Sequence, residues 1–187
     1  MVVMAIIIVV TSISVMTLEP ALKAQRVTNA YNTTLMAMRQ ARDTAVAQRQ
    51  AYLVTFTHIN NKPPDTITIT QGATGAVIST LQLPLDVEFT ALNGIPTAAG
   101  TTPDSFGLGG VAIDFDQSVA GGAPNVIYFM PDGSGQDVAG NINNGVIYIA
   151  RAGELYSSHA ITFWGATGRM RGWRLLVSKG TPYWRQM

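Results

Sequence analysis

The chain has 187 residues, enough for one domain with an appendage, and it is 47% hydrophobic but only 12% charged, against about a quarter charged in ordinary soluble domains. A net charge of +1 excludes a polycation or an acidic tail. The absence of cysteine excludes a disulfide framework, a thiolate metal site and a cysteine nucleophile.

The first element is an apolar run from Met1 to Leu18, "MVVMAIIIVVTSISVMTL", with Val2, Val3, Ile6, Ile7, Ile8, Val9 and Val10 at its front. As a helix it spans about 27 Å, close to the roughly 30 Å hydrocarbon core of a bilayer. Thr11, Ser12, Ser14 and Thr17 are compatible with insertion, because their hydroxyls can bond back to helix carbonyls. A signal peptide would carry a basic leader and a small-residue cleavage site, and neither is visible. The plain alternative is a buried core helix, but core helices this uniformly apolar are usually shorter. Residues 1–21 are therefore expected to form a transmembrane or filament-core segment, and residues 22–187 the globular part.

Glu19-Pro20 ends the run, and Pro20 is expected to kink the helix and not to stop it. Beyond it Tyr31, Leu35, Met38, Ala41, Ala45 and Tyr52 recur at steps of 3, 4 and 7, one stripe of a helix. Arg39 and Asp43 are spaced to pair on the other side. The spacing predicts one long helix reaching about Gln50, amphipathic over 22–50, with a β domain over 51–187.

From Tyr52 the period becomes two. "YLVTFT", "TITIT" (66–70), "AVISTLQL" (76–83) and "DVEFTAL" (86–92) read as strands, separated by the turn clusters at 60–65 and 71–75. A Gly/Pro/Thr-rich loop follows at 93–110, of a length often associated with function or mobility. "VAIDFD" (111–116), "VIYFM" (126–130), "GVIYIA" (145–150), "AITFW" (160–164) and "RMRGWRLLV" (169–177) complete the set. One long helix followed by many short strands predicts an α+β fold, the helix packed on an antiparallel sheet or sandwich.

Charge is segregated. Residues 63–150 hold Asp65, Asp86, Glu88, Asp104, Asp114, Asp116, Asp132 and Asp137 without a Lys or Arg. Residues 165–187 hold Arg169, Arg171, Arg174, Lys179 and Arg185 without an acid. Two surfaces of different potential are expected.

Catalytic chemistry finds little support. His58 and His159 belong to no His/carboxylate cluster, and Gly-x-Ser-x-Gly is absent, so no catalytic residue, metal ligand set or cofactor site is assigned. Asp114 and Asp116 could share a strand face as paired carboxylates, but a solvated strand edge is the commoner reading. "DGSGQD" (132–137) offers oxygen donors for calcium but lacks a complete calcium-loop signature, and a simple turn is favoured.

Four stretches carry a family resemblance: "MVVMAIIIVV" (1–10), "MRQARDTAVAQRQAYLVTF" (38–56), "VIYFMPDGSG" (126–135) and "ITFWGATGRMR" (161–171). In order and spacing they resemble the GspH/FimT branch of type II secretion pseudopilins and type IV minor pilins. The leader, processing glycine and glutamate of that pattern are missing, and Met1 stands about where the residue after that glutamate would be. The expectation is a start at an internal methionine, or a cut there.

The resemblance implies a structural subunit, with no enzymatic activity. It implies leader processing and N-terminal methylation, single-pass anchoring in a bacterial inner membrane and a periplasmic C-terminal domain. The implied partners are other pilin or pseudopilin subunits, inner-membrane lipid, and secreted cargo protein or DNA. Some DNA-uptake minor pilins of this branch use a Gly-Arg-x-Arg sequence, which Gly168-Arg169-Met170-Arg171 matches. Arg169, Arg171, Arg174, Lys179 and Arg185, interleaved with Trp173, therefore have three readings: DNA contacts, docking to an acidic neighbouring subunit, or simple solvation of a strand. An unrelated single-pass membrane β domain is the remaining alternative.

Overall fold

The computed structural model describes residues 2–58, 63–107, 109–119 and 123–187, and only the backbone for residues 2, 3 and 5–18. One helix, α1, runs from Val2 to Gln48 and passes through Pro20 without ending. At 1.5 Å per residue it is about 70 Å long, far more than a domain of this size needs for its core. Among the described residues no helix is long and apolar enough to cross a membrane. Within the expected membrane segment, 1–21, only the side chains of Met4, Glu19, Pro20 and Ala21 are described, all exposed; those of Val2, Val3, Ile6, Ile7, Ile8, Val9 and Val10 lie outside those described.

The stripe foreseen from spacing is the buried face. Tyr31, Leu35, Met38, Ala41 and Ala45 are buried, joined by Val27, Ala30, Thr34 and Ala37. Small residues dominate this face, which lets the helix axis approach the sheets closely. The buried Thr34 hydroxyl is satisfied by donating to the Ala30 carbonyl at 2.9 Å. The helix ends two residues earlier than the predicted Gln50. Arg49 turns into the left-handed region at φ 53°, and the Gln50 N–H bonds back to Ala45 O at 3.2 Å, a Schellman-type stop.

Eleven strands follow: β1 Tyr52–Thr57, β2 Thr66–Gln71, β3 Val77–Gln82, β4 Glu88–Phe89, β5 Ile113–Asp114, β6 Val126–Phe129, β7 Gly135–Gln136, β8 Gly145–Ala150, β9 His159–Trp164, β10 Arg169–Ser178 and β11 Thr181–Gln186. They form two antiparallel sheets, β3-β2-β1-β6-β7 and β11-β10-β9-β8-β4, with β5 also paired to β8. Helix α1 lies against β1, β2 and β6 of the first sheet and β8 and β9 of the second. The fold is α+β, one long N-terminal helix packed on an antiparallel β domain.

A run of phenylalanines joins the two sheets. Phe89, Phe56, Phe115, Phe163 and Phe129 follow one another at centroid spacings of 5.6, 5.6, 6.3 and 5.3 Å. All five are buried to within about 1%. Each such pair adds about 0.5–1.5 kcal/mol beyond the burial of its area.

Four elements differ from expectation, the first being the 111–116 strand, which shrinks to Ile113–Asp114. The 86–92 strand shrinks to Glu88–Phe89, because Val87 N–H closes a turn onto Pro84 O and only two residues reach β8. β7 pairs two residues of the "DGSGQD" stretch with Tyr128 and Phe129. β11 has no counterpart among the predicted strands. It is joined to β10 by Lys179-Gly180, both at positive φ (49° and 81°), a two-residue hairpin turn whose twist matches the strands. Lysine at the first turn position, where Asn or Asp is usual, hid the signal.

Candidate functional site

The five cations singled out in the sequence all fall on the β10–β11 hairpin, but strand alternation divides them between two faces. Met170 and Gly172 point toward α1 and the main core, where Met170 packs and a side chain at Gly172 would meet Tyr31. Arg174 shares that parity. Arg169, Arg171, Trp173 and Leu175 point to the opposite face.

That opposite face is not a free surface. Val146, Tyr148, Ala160, Leu175 and Trp184 form a second small core there, with Ile95, Phe106 and Trp173 packed on it. Its cover is the 93–110 loop, whose Thr102 and Pro103 are buried. Asp104 of that loop takes a left-handed backbone (φ 51°) and aims its carboxylate inward. It accepts from Thr162 Oγ1 at 2.5 Å and Trp164 Nε1 at 3.3 Å, and pairs with Arg171 Nη1. Trp173 Nε1 donates to Thr162 Oγ1 at 3.1 Å, and the Arg171 guanidinium sits 6.0 Å from the Trp164 ring centroid. The Asp104 side chain is only 5% exposed and that of Arg171 25%. Arg171 thus neutralises an acid of its own chain, and Trp173 is tied into the same network.

The glycine ahead of these arginines has a packing role. Arg42 of α1 donates from Nε to Gly133 O at 3.1 Å and from Nη2 to Thr167 O at 3.3 Å, clamping the helix to two turns. Gly168, at φ 64°, passes so close that a Cβ there would lie 2.1 Å from Gly133 O and 2.3 Å from Arg42 Nε. Arg169 is exposed beside this clamp, in a pocket of about 390 Å³ that it shares with Arg39, Arg42 and Asp43. Asp43 lies 3.9 Å from Arg42 Nη1, so the ion pair in this region involves Arg42 and not the expected Arg39.

On the helix side, Arg174 is exposed and lies directly opposite His159 on β9 and Arg185 on β11. The His159 ring packs on Tyr31 at 5.3 Å and its Nδ1 donates to Ser157 O at 2.8 Å. Burial pushes His159 below the usual histidine range; the Ser157 carbonyl opposes this and Arg174 reinforces it. Lys179 is exposed in the hairpin turn.

The acids expected to form a second surface are largely spent inside the fold. Buried Asp65 meets His58 Nδ1 at 2.9 Å and accepts the Phe89 N–H at 2.5 Å. Asp86 bridges Arg26 and Arg151, and Arg151 also holds Glu154. Asp114 caps the turn after β5 by accepting the Asp116 N–H and Gln117 Nε2, so it does not stand as half of an open carboxylate pair. Asp132 accepts from the Ser134 hydroxyl and N–H, bonds that hold it below the ordinary carboxylate range. Asp137 accepts from Asn141 and Asn143. Among the described residues no group of three or more His, Cys, Asp or Glu could hold a metal ion. Among the same residues, no acid lies within ion-pair distance of Arg169, Arg174, Lys179 or Arg185. What remains is a basic hairpin, with Arg174 and Arg185 on one face, Arg169 on the other and Lys179 in the turn.

Comparison of the sequence with known protein families and with curated proteins finds no match. Among solved structures, the chain is similar to the type IV minor pilin FimU of Pseudomonas aeruginosa, at 13% identity and a TM-score of 0.47, over 81% of this chain and 88% of that one.

Proposed function

We propose that this chain is a non-enzymatic minor pilin or pseudopilin of the GspH/FimT type, a structural subunit held in the inner membrane by residues 1–21 with its β domain in the periplasm. The observation that carries this reading is the division of labour along α1. Its C-terminal part, from Val27 to Ala45, is buried on two sheets and clamped by Arg42. Before Val27 every described side chain is exposed except Lys23, which is half-buried. The helix therefore extends well past its domain, and the extension is where the sequence is most apolar. A helix of that kind can exchange lipid contacts for contacts with sister helices at little hydrophobic cost. Other subunits are the principal partners in this reading.

The test is fractionation followed by cross-linking. The full chain is expected in the membrane fraction after carbonate extraction. Single cysteines at Ile7 or Val10 are expected to form disulfide-linked dimers on oxidation when subunits assemble. Recovery of the chain in the soluble fraction would sink the reading. The DNA-capture alternative rests on the Gly-Arg-x-Arg match, and one of its two arginines is committed to Asp104. Duplex binding that falls steeply with salt and is lost with Arg169→Ala would revive it.

A further inference from the structure

We propose that a second copy of this chain packs parallel to α1, raised by about 20 helical residues or about 30 Å, so that Glu19 and Lys23 of the raised copy meet Arg39 and Asp43 of the lower one. The inference rests on the reading above that sister helices assemble, and it names their register.

The first observation is charge. The charged residues of α1 are Glu19, Lys23, Arg26, Arg39, Arg42 and Asp43. Arg26 is taken by Asp86, and Arg42 by the Gly133 and Thr167 carbonyls. Glu19 and Lys23 pair with each other, with side chains 64% and 32% exposed. Arg39 is exposed and, among the described residues, has no acid within ion-pair distance; the Asp43 side chain is 75% exposed. The order is acid, base and then, twenty positions on, base, acid. A parallel copy displaced by that spacing sets each charge opposite its counter-charge. A displacement of four residues also matches both pairs but leaves the partners on nearly the same side of the helix, and every other displacement brings at most one acid onto a base.

The second observation is facing. At about 100° per residue, twenty residues turn the helix about 200° beyond five whole turns, so the two charge pairs lie on nearly opposite sides of α1. Stacking by translation requires this, because the copy above and the copy below touch opposite faces, and such a contact repeats without closing. The domain leaves the lower copy's face open. Gln25, Asn29, Asn32 and Met36 lead to Arg39 and Asp43 in steps of 3 and 4, and all are exposed. Gln25 Nε2 donates to Asn29 Oδ1 at 3.2 Å, so polar positions of this stripe already bond to each other. Met36, 68% exposed, comes level with residue 16 in the apolar run of the raised copy.

The third is length. The buried stretch of α1, Val27 to Ala45, is about 27 Å long, so a rise of about 30 Å carries one buried stretch just clear of the next. The helix before Val27 of the raised copy then lies along the open face of the lower one. Copies anchored side by side in one bilayer have no displacement, and Glu19 is level with Glu19 and Arg39 with Arg39. The charges therefore oppose lateral pairing in the membrane and favour pairing once a copy is lifted from it. Helix packing supplies the affinity and the charges set the register.

The chain has no cysteine, so introduced cross-links are unambiguous. Full-length Met16→Cys and Met36→Cys proteins with different tags are mixed in neutral maltoside, the detergent is diluted to allow assembly, and the mixture is oxidised. The expected product is the mixed disulfide, about tenfold over either homodimer, where random collision gives about twofold. Moving the second cysteine to Gln25, Asn29 or Val46 should remove the preference. Glu19→Lys in the first protein should lower the mixed product roughly 5- to 10-fold, and Arg39→Glu in the second should restore most of it. Homodimers in the random proportion, or a mixed product indifferent to the charge reversal, would overturn the proposal. Should Glu19→Lys not fold, the position scan with native charges decides alone: a preference centred on Met36 supports the register, and any other centre overturns it. Carbonate extraction of the same proteins tests the anchored reading separately. Release into the soluble fraction sinks the anchor, whereas a membrane-bound chain without the preference for Met36 sinks only this register.

Discussion

Gly172→Ala is the sharpest probe of how α1 is seated. Gly172 lies in β10 opposite Ile161, and a Cβ at this position would stand 1.8 Å from the Tyr31 hydroxyl oxygen and 2.8 Å from its Cζ. Neither side can easily give way. β10 is paired on both edges, with β9 and β11. Tyr31 is buried, stacked on His159, and carried by a helix that Arg42 pins to two turns. Overpacking typically costs 1–3 kcal/mol, and a contact this short on two fixed elements belongs at about the upper end. Against this, replacing a strand glycine recovers only about 0.5–1 kcal/mol of chain entropy. The net cost of about 2 kcal/mol translates to a fall of about 4–8 °C in melting temperature for a chain of this size. Near-UV circular dichroism of the full chain in neutral detergent reads it directly. Tyr31→Phe removes the nearest atom, so combining it with Gly172→Ala should recover about half the loss, a coupling of about 1 kcal/mol in a double-mutant cycle. A Gly172→Ala protein melting within about 1 °C of the wild type, or strict additivity of the two changes, would refute the reasoning.

Three further outcomes follow from the same contacts. Arg171→Ala leaves the buried Asp104 carboxylate with only Thr162 and Trp164 as donors. It should cost about 2–3 kcal/mol and expose the 93–110 loop to proteases, with Arg171→Lys recovering part; unchanged cleavage would show that the pair does not hold the loop. His159 has its folded-state pKa lowered by burial, so between that value and about 6.5 the unfolded chain binds more protons and stability falls as the pH drops through this window. The difference between wild type and His159→Gln in urea midpoints across pH 4–8 isolates this contribution, and parallel profiles would contradict it. Calcium at millimolar concentration should leave the melting temperature unchanged, because Ser134, Asn141 and Asn143 already occupy the carboxylates of Asp132 and Asp137; a clear upward shift would overturn that account.

The long helix and its buried stripe were legible in the sequence because their causes are local. A 3.6-residue period places Tyr31, Leu35, Met38, Ala41 and Ala45 on one side whatever they touch. Alternation marked β1 and β2 for the same reason, whereas β8 was visible as a short unbroken apolar run, all of it buried. The basic C-terminal cluster was visible as composition, but its division into two faces depended on register with β9 and β11. Lys179-Gly180 gave no recognisable hairpin signal, and a two-residue strand such as β7 exists only through its partner. The match of Arg171 with Asp104, 67 positions apart, and the closing of the 93–110 loop over a second core were set by tertiary packing alone. Periodicity reports which side of an element is apolar. Which acid meets which base across the fold is decided only when distant segments are brought to the same place, and here that meeting consumed most of the acids and left the hairpin basic.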